Sequence, residues 1–78
     1  MENKLMTFEI VEYLGVIGTH DTGWNTELNI VSWNGKEPRL DIRAWDKNHE
    51  NMTRGISLPI DCAGRLSELL NAFVKERA

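Results

Sequence analysis

The alternation of apolar and polar residues near the middle of the chain predicts a β-hairpin. Residues 39–45 read Arg-Leu-Asp-Ile-Arg-Ala-Trp, so a strand over about residues 39–46 would carry an apolar row on one face and a charged, aromatic row on the other. Asn34-Gly35 precedes it and supplies two residues that tolerate positive φ, as a tight hairpin turn requires. The partner strand is predicted over about residues 24–34.

Two properties of the first two strands follow from the same pattern. Residues 8–17 form a nearly continuous apolar run, which predicts a strand over about residues 7–17 that is covered on both faces. In the second strand, Leu28 and Ile30 share one face. Trp24 is in phase with them, which favours the core, but a single bulge would turn it to the other face. The side of Trp24 therefore stays open.

The C-terminal third predicts a short strand over about residues 52–58 and a helix over about residues 60–76. Pro59 ends strand pairing and suits the first turn of a helix. Apolar residues then recur at intervals of three and four, at Leu66, Leu69, Leu70, Phe73 and Val74, which is typical of an amphipathic helix. The predicted fold is a single α+β domain over residues 1–78, a four-stranded antiparallel meander followed by one helix over a face of the sheet.

The length of 78 residues predicts a homodimer. A chain of this size buries only about 60–65% of the surface that its unfolded form exposes. Cys62 is the single cysteine, and the chain lacks zinc-type Cys/His spacing, so neither a disulfide nor a metal cluster supplements the core. Oligomerisation is the remaining way to enlarge it.

The net charge and the search for targeting signals exclude some classes of protein. The net charge of −3 argues against a protein that coats nucleic acid indiscriminately, but residues 36–57 hold five of the nine cations, so a local positive field is allowed. A signal peptide and an apolar run long enough to span a membrane are both lacking in the sequence. We therefore expect a cytoplasmic protein without a membrane partner.

The charged, aromatic row of the hairpin is the candidate binding surface. Arg39, Arg43 and Trp45 would lie opposite Trp33 and Lys36, which offers flat rings for stacking and cations for phosphate. The alternative for the tryptophans is a place in the core or the dimer interface.

For Arg43 and Arg54 the alternative is a surface ion pair with Asp41, Asp46 or Glu50. His20 and His49 lack metal-ligand spacing, and no base lies near Cys62 in sequence, so we expect no catalytic site, metal or cofactor.

A set of motifs spread along the chain resembles one family. In order, these are Gly23-Trp24, Glu27-Leu28-Asn29, Val31-Ser32-Trp33-Asn34, Glu37-Pro38, Asp41-Ile42-Arg43, Trp45, His49-Glu50 and Gly55-Ile56-Ser57-Leu58. Together they resemble the small bacterial YdbC-type proteins, relatives of the transcriptional coactivator positive cofactor four. The resemblance implies a strongly curved four-stranded sheet, a homodimer and binding of single-stranded DNA along β-ridges.

The resemblance also implies which residues touch the DNA. Trp33 and Trp45 look like the family's aromatic contacts, and Arg43 and Arg54 like its basic contacts. With their neighbours, the predicted nucleic-acid-binding residues are Trp24, Trp33, Lys36, Arg39, Arg43, Trp45, Lys47 and Arg54.

The sequence thus predicts a sequence-tolerant single-stranded DNA-binding protein, an accessory factor in transcription, replication or repair. Replacing Trp33 or Trp45 by alanine is expected to weaken binding without unfolding the dimer. The alternative is a protein-interaction module that uses the same aromatic sheet face. Whether RNA is also bound, and which process is served, the sequence leaves open.

Overall fold

A computed structural model describes residues 6–77 and shows four strands followed by a helix. The elements are β1 (Phe8–Thr19), β2 (Asn25–Trp33), β3 (Arg39–Trp45), β4 (Ile56–Leu58), a short 3₁₀ turn (Ile60–Cys62) and α1 (Ala63–Glu76). The strands form one curved antiparallel sheet in the order β1-β2-β3-β4. The predicted α+β class, with one C-terminal helix after the sheet, is confirmed.

The turn between β2 and β3 has the conformation that Asn34-Gly35 predicts. Asn34 has φ of 55° and Gly35 has φ of 73°, the pair of positive values found in a type I′ turn. The turn is closed by the amide of Lys36, which donates to the carbonyl oxygen of Trp33 at 2.9 Å. The closed turn reverses the chain, and regular pairing of the two central strands starts at Val31 and Arg39.

β1 is an edge strand whose pairing with β2 is interrupted by three bulges. The register shifts between Ile10 and Glu12, between Tyr13 and Gly15, and between Val16 and Gly18, so every third residue is extra. The strand bends at each shift, because a bulge adds local twist and removes a ladder pair. The expectation that β1 is covered on both faces is wrong for the single chain, since Val11, Tyr13, Leu14, Val16 and Ile17 are all exposed.

The two faces of the β2–β3 pair differ in chemistry, and the polar one is the more deeply buried. We call one of them the inner face; it carries Glu27, Asn29, Val31, Trp33, Arg39, Asp41, Arg43 and Trp45. Val31, Asn29, Asp41 and Trp45 on it are fully buried. The expected exposure of this charged, aromatic row is therefore wrong for Asp41 and Trp45, whereas Trp33 and Arg39 are half-buried. The start of β1 and the segment between β3 and β4 cover it.

β4 begins at Ile56, four residues later than the predicted start near residue 52. Met52 forms a single bridge with Trp45, and pairing resumes only where Ile56 meets Ile42. In between, the backbone at Gly55 approaches β3 so closely that a Cβ there would clash with the Cβ of Arg43 and the carbonyl oxygen of Ile42. Glycine is thus required by space at this position.

The helix leaves its apolar side uncovered by the sheet of its own chain. No residue of α1 is buried, and Leu69, Leu70, Phe73 and Val74 each have about half of their surface or more exposed. The helix was expected over one sheet face, and its first turns line a cavity with Leu28 and Leu40 of the sheet, but it does not pack closely enough to bury its apolar side. Among the described residues, no helix is long and apolar enough to cross a membrane.

Candidate nucleic-acid interface

Three aromatic side chains, Phe8, Trp33 and Trp45, meet on the inner face, and we call them the aromatic cluster. The centroid of the Phe8 ring lies 5.9 Å from that of Trp33 and 5.1 Å from that of Trp45, tilted by 48° and 50°. These are favourable separations for aromatic pairs. The two tryptophans predicted as stacking residues are therefore brought together, with a phenylalanine against both.

Arg43 is held by a buried carboxylate. Its Nε donates to Oδ1 of Asp41 at 2.7 Å and its Nη2 to Oδ2 at 2.8 Å. The Arg43 side chain is 12% exposed, and that of Asp41 is fully buried. The guanidinium also lies over the Trp33 ring, with Cζ 4.5 Å from the centroid. Arg43 therefore forms the ion pair with Asp41 that was the alternative to a phosphate contact. The pair is internal rather than on the surface, so the guanidinium does not face solvent as a phosphate contact would.

Trp45 is enclosed by polar neighbours as well as by Phe8. The His49 ring lies 5.5 Å from its ring. Nε2 of His49 also lies 2.9 Å from both carboxylate oxygens of the buried Glu27, which in turn accepts a hydrogen bond from Nδ2 of Asn29 at 3.0 Å. With its surface fully covered, Trp45 offers no free face to a base in this conformation.

Asp46 shapes the loop that carries His49. Its Oδ2 accepts a hydrogen bond from Nδ2 of Asn51 at 2.8 Å, and its Oδ1 accepts from the amides of Glu50 and Asn51. The Asn51 side chain first, and then these backbone amides, lower the pKa of the Asp46 carboxyl. The carboxylate thus stays charged at neutral pH and holds the turn in which His49 adopts a φ of 58°.

The remaining predicted cations are more accessible. Lys36, Lys47 and Arg54 are exposed and form no ion pair with any residue in the range 6–77. Arg39 is half-buried, and its guanidinium donates to the hydroxyl and the carbonyl oxygen of Ser57. Lys36 lies before β3 and Lys47 after it, so the positive charges are spread along a strand about 20 Å long.

Trp24 lies apart from the aromatic cluster. It is half-buried and lines a surface cavity of about 480 Å³ with His20, Thr22, Ala44 and Thr53. Ala44 belongs to the face of β3 opposite Trp45, so Trp24 lies on the outer side of the sheet. Trp24 is thus on the same side of the sheet as Leu28 and Ile30, the side that its place in the alternation favours.

Sequence reasoning missed Phe8, Glu27 and His49 as parts of this site. Phe8 was one of many apolar residues in β1, and nothing in its spacing marks a contact with strands β2 and β3. Glu27 and His49 are 22 positions apart. Only the alternation of Asp41 with Arg43 gave a local signal, because residues two apart on a strand share a face.

Comparison with known proteins gives two matches. Residues 20–69 match the family model described as Transcriptional Coactivator p15 (PC4). An uncharacterized protein of Treponema pallidum (strain Nichols) is 35% identical over 66 residues, which covers 85% of this chain and 78% of that protein. The family match contains all eight predicted nucleic-acid-binding residues, whereas β1 lies outside it.

Proposed function

Because this chain belongs to the transcriptional coactivator p15 (PC4) family, we propose that it binds single-stranded DNA with little sequence preference. The observation that carries the proposal is the family match, which spans the aromatic and basic residues of the candidate site. The family binds single-stranded DNA. Within it, the motifs from Gly23-Trp24 to Gly55-Ile56-Ser57-Leu58 support placing this chain with the YdbC-type bacterial proteins.

The phosphates are held by the exposed cations in this proposal. Lys36, Lys47 and Arg54 are free to reach a strand that runs along β3, and Arg39 joins them by exchanging its bond to Ser57. Arg43 acts differently, since its guanidinium is paired with Asp41 and lies over the Trp33 ring. It supports the indole rather than holding a phosphate.

The bases are held by stacking on the two indoles of the aromatic cluster, Trp33 and Trp45. Every base has a π-face, so stacking on indole rings is tolerant of sequence and contributes about 1–3 kcal/mol per base. Trp33 keeps part of its surface exposed, whereas Trp45 becomes available only when its cover moves. Trp24 binds a base in this scheme only if the strand continues around the sheet edge.

The proposal is tested by titrating the protein with a thymine oligonucleotide of about 20 nucleotides. This is longer than the about 4–16 nucleotides that one single-stranded-DNA-binding OB-fold domain covers. Tryptophan fluorescence is followed at low and at moderate salt, with the matching duplex as competitor. We expect saturable quenching that weakens with salt and resists the duplex. A response that is insensitive to salt would instead favour the protein-interaction alternative, because an aromatic protein contact depends far less on ionic strength.

Removing the exposed cations is expected to lower the salt dependence of binding in steps. Each of Lys36→Ala, Lys47→Ala and Arg54→Ala should reduce the slope of log K against log salt by about 0.7, the value for one phosphate contact on a single strand. Fluorescence anisotropy of a labelled oligonucleotide at four salt concentrations measures the slope. Arg65→Ala is the matched control, since its side chain is 73% exposed on the helix and its loss should leave the slope unchanged. An unchanged slope in Arg54→Ala would remove that residue from the interface.

We further propose that the functional unit is a homodimer. In the described part of the chain, the buried apolar residues are only Val31, Leu40, Ala44 and Trp45. Two apolar surfaces, one on β1 and one on α1, stay uncovered. Exposed apolar surface of this extent is typical of an interface, and a second copy would supply the core that 78 residues lack.

Charge placed on the helix is expected to produce monomers. Phe73→Glu puts a carboxylate into the exposed apolar side of α1, where a dimer would have to bury it without a partner. Sedimentation equilibrium should give about 18 kDa for the wild type, twice the chain mass of 9.0 kDa, and about half of that for the variant. Lys75→Glu is the control, because it places a carboxylate on the polar side of the helix and changes the net charge by two units rather than one, so a monomer produced by charge alone would appear there too. A wild-type protein that sediments as a monomer would overturn the dimer.

A further inference from the structure

We propose that Phe8 occupies a nucleobase slot between Trp33 and Trp45 and that single-stranded DNA displaces it. The inference rests on the proposed function and adds to it a closed, DNA-free state of the site. The ligand of the slot is a single unpaired base. Phe8 then competes with that base for the same two indole rings.

Phe8 is a planar ring that contacts both indoles at a tilt, 48° to Trp33 and 50° to Trp45. Its ring centroid lies between 5 and 6 Å from both indole centroids, and a base inserted at that point would meet the same two surfaces. The other neighbours of the indoles are held by polar partners, since Arg43 over Trp33 is bonded to Asp41 and His49 beside Trp45 lies against Glu27. Phe8 has only ring contacts, so it is the neighbour that a base could replace with the smallest rearrangement.

The first residues of β1, which carry Phe8, can separate from β2 without unfolding the rest of the sheet. Only Phe8, Glu9 and Ile10 pair with β2 before the bulge at Val11 breaks the ladder, and β1 is an edge strand with no neighbour on its other side in the described sheet. Strand ends with few ladder pairs open at much lower cost than the whole protein. Phe8 can thus move while the rest of β1 stays in place.

The side chain of Asn34 holds this segment against the β2–β3 hairpin. Oδ1 of Asn34 accepts a hydrogen bond from the amide of Thr7 at 2.9 Å, and the amide of Asn34 donates to the carbonyl oxygen of Thr7 at 2.8 Å. Asn34 sits in the type I′ turn beside Trp33. It therefore ties the end of β1 to the hairpin that carries the predicted site.

β1 lies outside the family match, which begins at residue 20. The aromatic and basic residues of the predicted site are within the match, but the residue that covers them is not. A cover supplied by a separate element can lower affinity without altering the contacts themselves, because the apparent dissociation constant rises as the open fraction falls.

Asn34→Gly is the variant that tests the slot most cleanly. Glycine accepts the φ of 55° at this position and keeps the backbone bond to Thr7, so only the side-chain clamp is lost. We expect about 2- to 10-fold tighter binding of the 20-nucleotide thymine oligonucleotide, the fold-change that corresponds to one hydrogen bond. Without DNA, acrylamide should quench the tryptophan fluorescence more strongly than in the wild type.

Phe8→Ala is the second variant, with far-ultraviolet circular dichroism used to confirm that it folds. It removes the competing ring and should tighten binding at least as much as Asn34→Gly. Asn48→Gly is the matched control, since it makes the same substitution at another exposed loop position and should change neither affinity nor quenching.

The outcomes separate the slot from the proposed function. Tighter binding with greater acrylamide quenching in both variants supports the slot, as does binding by the variants when the wild type shows none. Wild-type binding with equal or weaker binding by the variants overturns the slot alone, since Phe8 is then a fixed core residue or a contact of its own. If none of the proteins binds, both the function and the slot are overturned.

Discussion

Replacing Asp41 by alanine is expected to destabilise the protein by about 3–5 kcal/mol, the usual effect of leaving one member of a buried ion pair without its partner. Asp41 is fully buried and accepts both hydrogen bonds of a bidentate pair with Arg43. Its loss leaves a guanidinium enclosed beneath Met52 and Thr53. Because a small domain has a total stability of about 5–15 kcal/mol, the variant should be partly unfolded in urea concentrations that leave the wild type folded.

A second ion pair in the same chain provides the control. Arg65 and Glu68 are 73% and 70% exposed and lie one helical turn apart. Glu68→Ala should change the free energy of unfolding by less than about 0.5 kcal/mol, as is usual for exposed pairs.

A double substitution tests the cause. Asp41→Leu with Arg43→Met removes both charges and should recover much of the stability that Asp41→Ala loses. If Asp41→Ala and Glu68→Ala cost the same, the Asp41–Arg43 pair is not buried in solution.

Replacing Trp45 by alanine is expected to have an effect of similar size, about 3–5 kcal/mol, because a large buried aromatic leaves a cavity when it is truncated. Trp45 has no exposed surface and packs against Phe8 and His49. For Trp45 this predicted loss of stability replaces the expectation, made from the sequence, that alanine weakens DNA binding and leaves the fold intact. Urea unfolding followed by circular dichroism measures the change.

Two other tryptophan substitutions separate the stability of the fold from the binding of DNA. Trp24→Ala removes a half-buried indole on the outer side of the sheet and should cost clearly less than Trp45→Ala. Trp45→Phe keeps most of the packing and should leave the fold intact, so its oligonucleotide affinity reports on stacking. Equal destabilisation by Trp24→Ala and Trp45→Ala would contradict the burial seen here.

The local elements were predictable from the sequence because local rules determine them. Asn34-Gly35 specifies its turn through backbone conformation, and the intervals of three and four after residue 63 specify a helix irrespective of what packs on it. The alternation in β3 likewise predicts two distinct faces. The motif Gly55-Ile56-Ser57-Leu58 marked the fourth strand, although only the close approach to β3 explains why its first residue is glycine.

Which face is buried was not predictable, because alternation carries no information about what covers each face. The cover of the inner face comes from Phe8, more than 30 residues before β3, and from His49 in a loop after it. Apolar content pointed to the face with Leu40 and Ile42 as the core. The inner face is nevertheless the more buried one, because Asp41 and Arg43 neutralise each other there and Trp45 supplies the apolar volume.

The bulges of β1 have a consequence for the behaviour of the protein at high concentration. An apolar edge strand normally invites another chain to add to the sheet, the first step toward fibrils. In β1 the extra residues Val11, Leu14 and Ile17 break the regular row of donors and acceptors that such addition needs. Straightening the strand by deleting Val11, Leu14 and Ile17 would create an uninterrupted template, so the same irregularity that curves the sheet also protects the chain from aggregation.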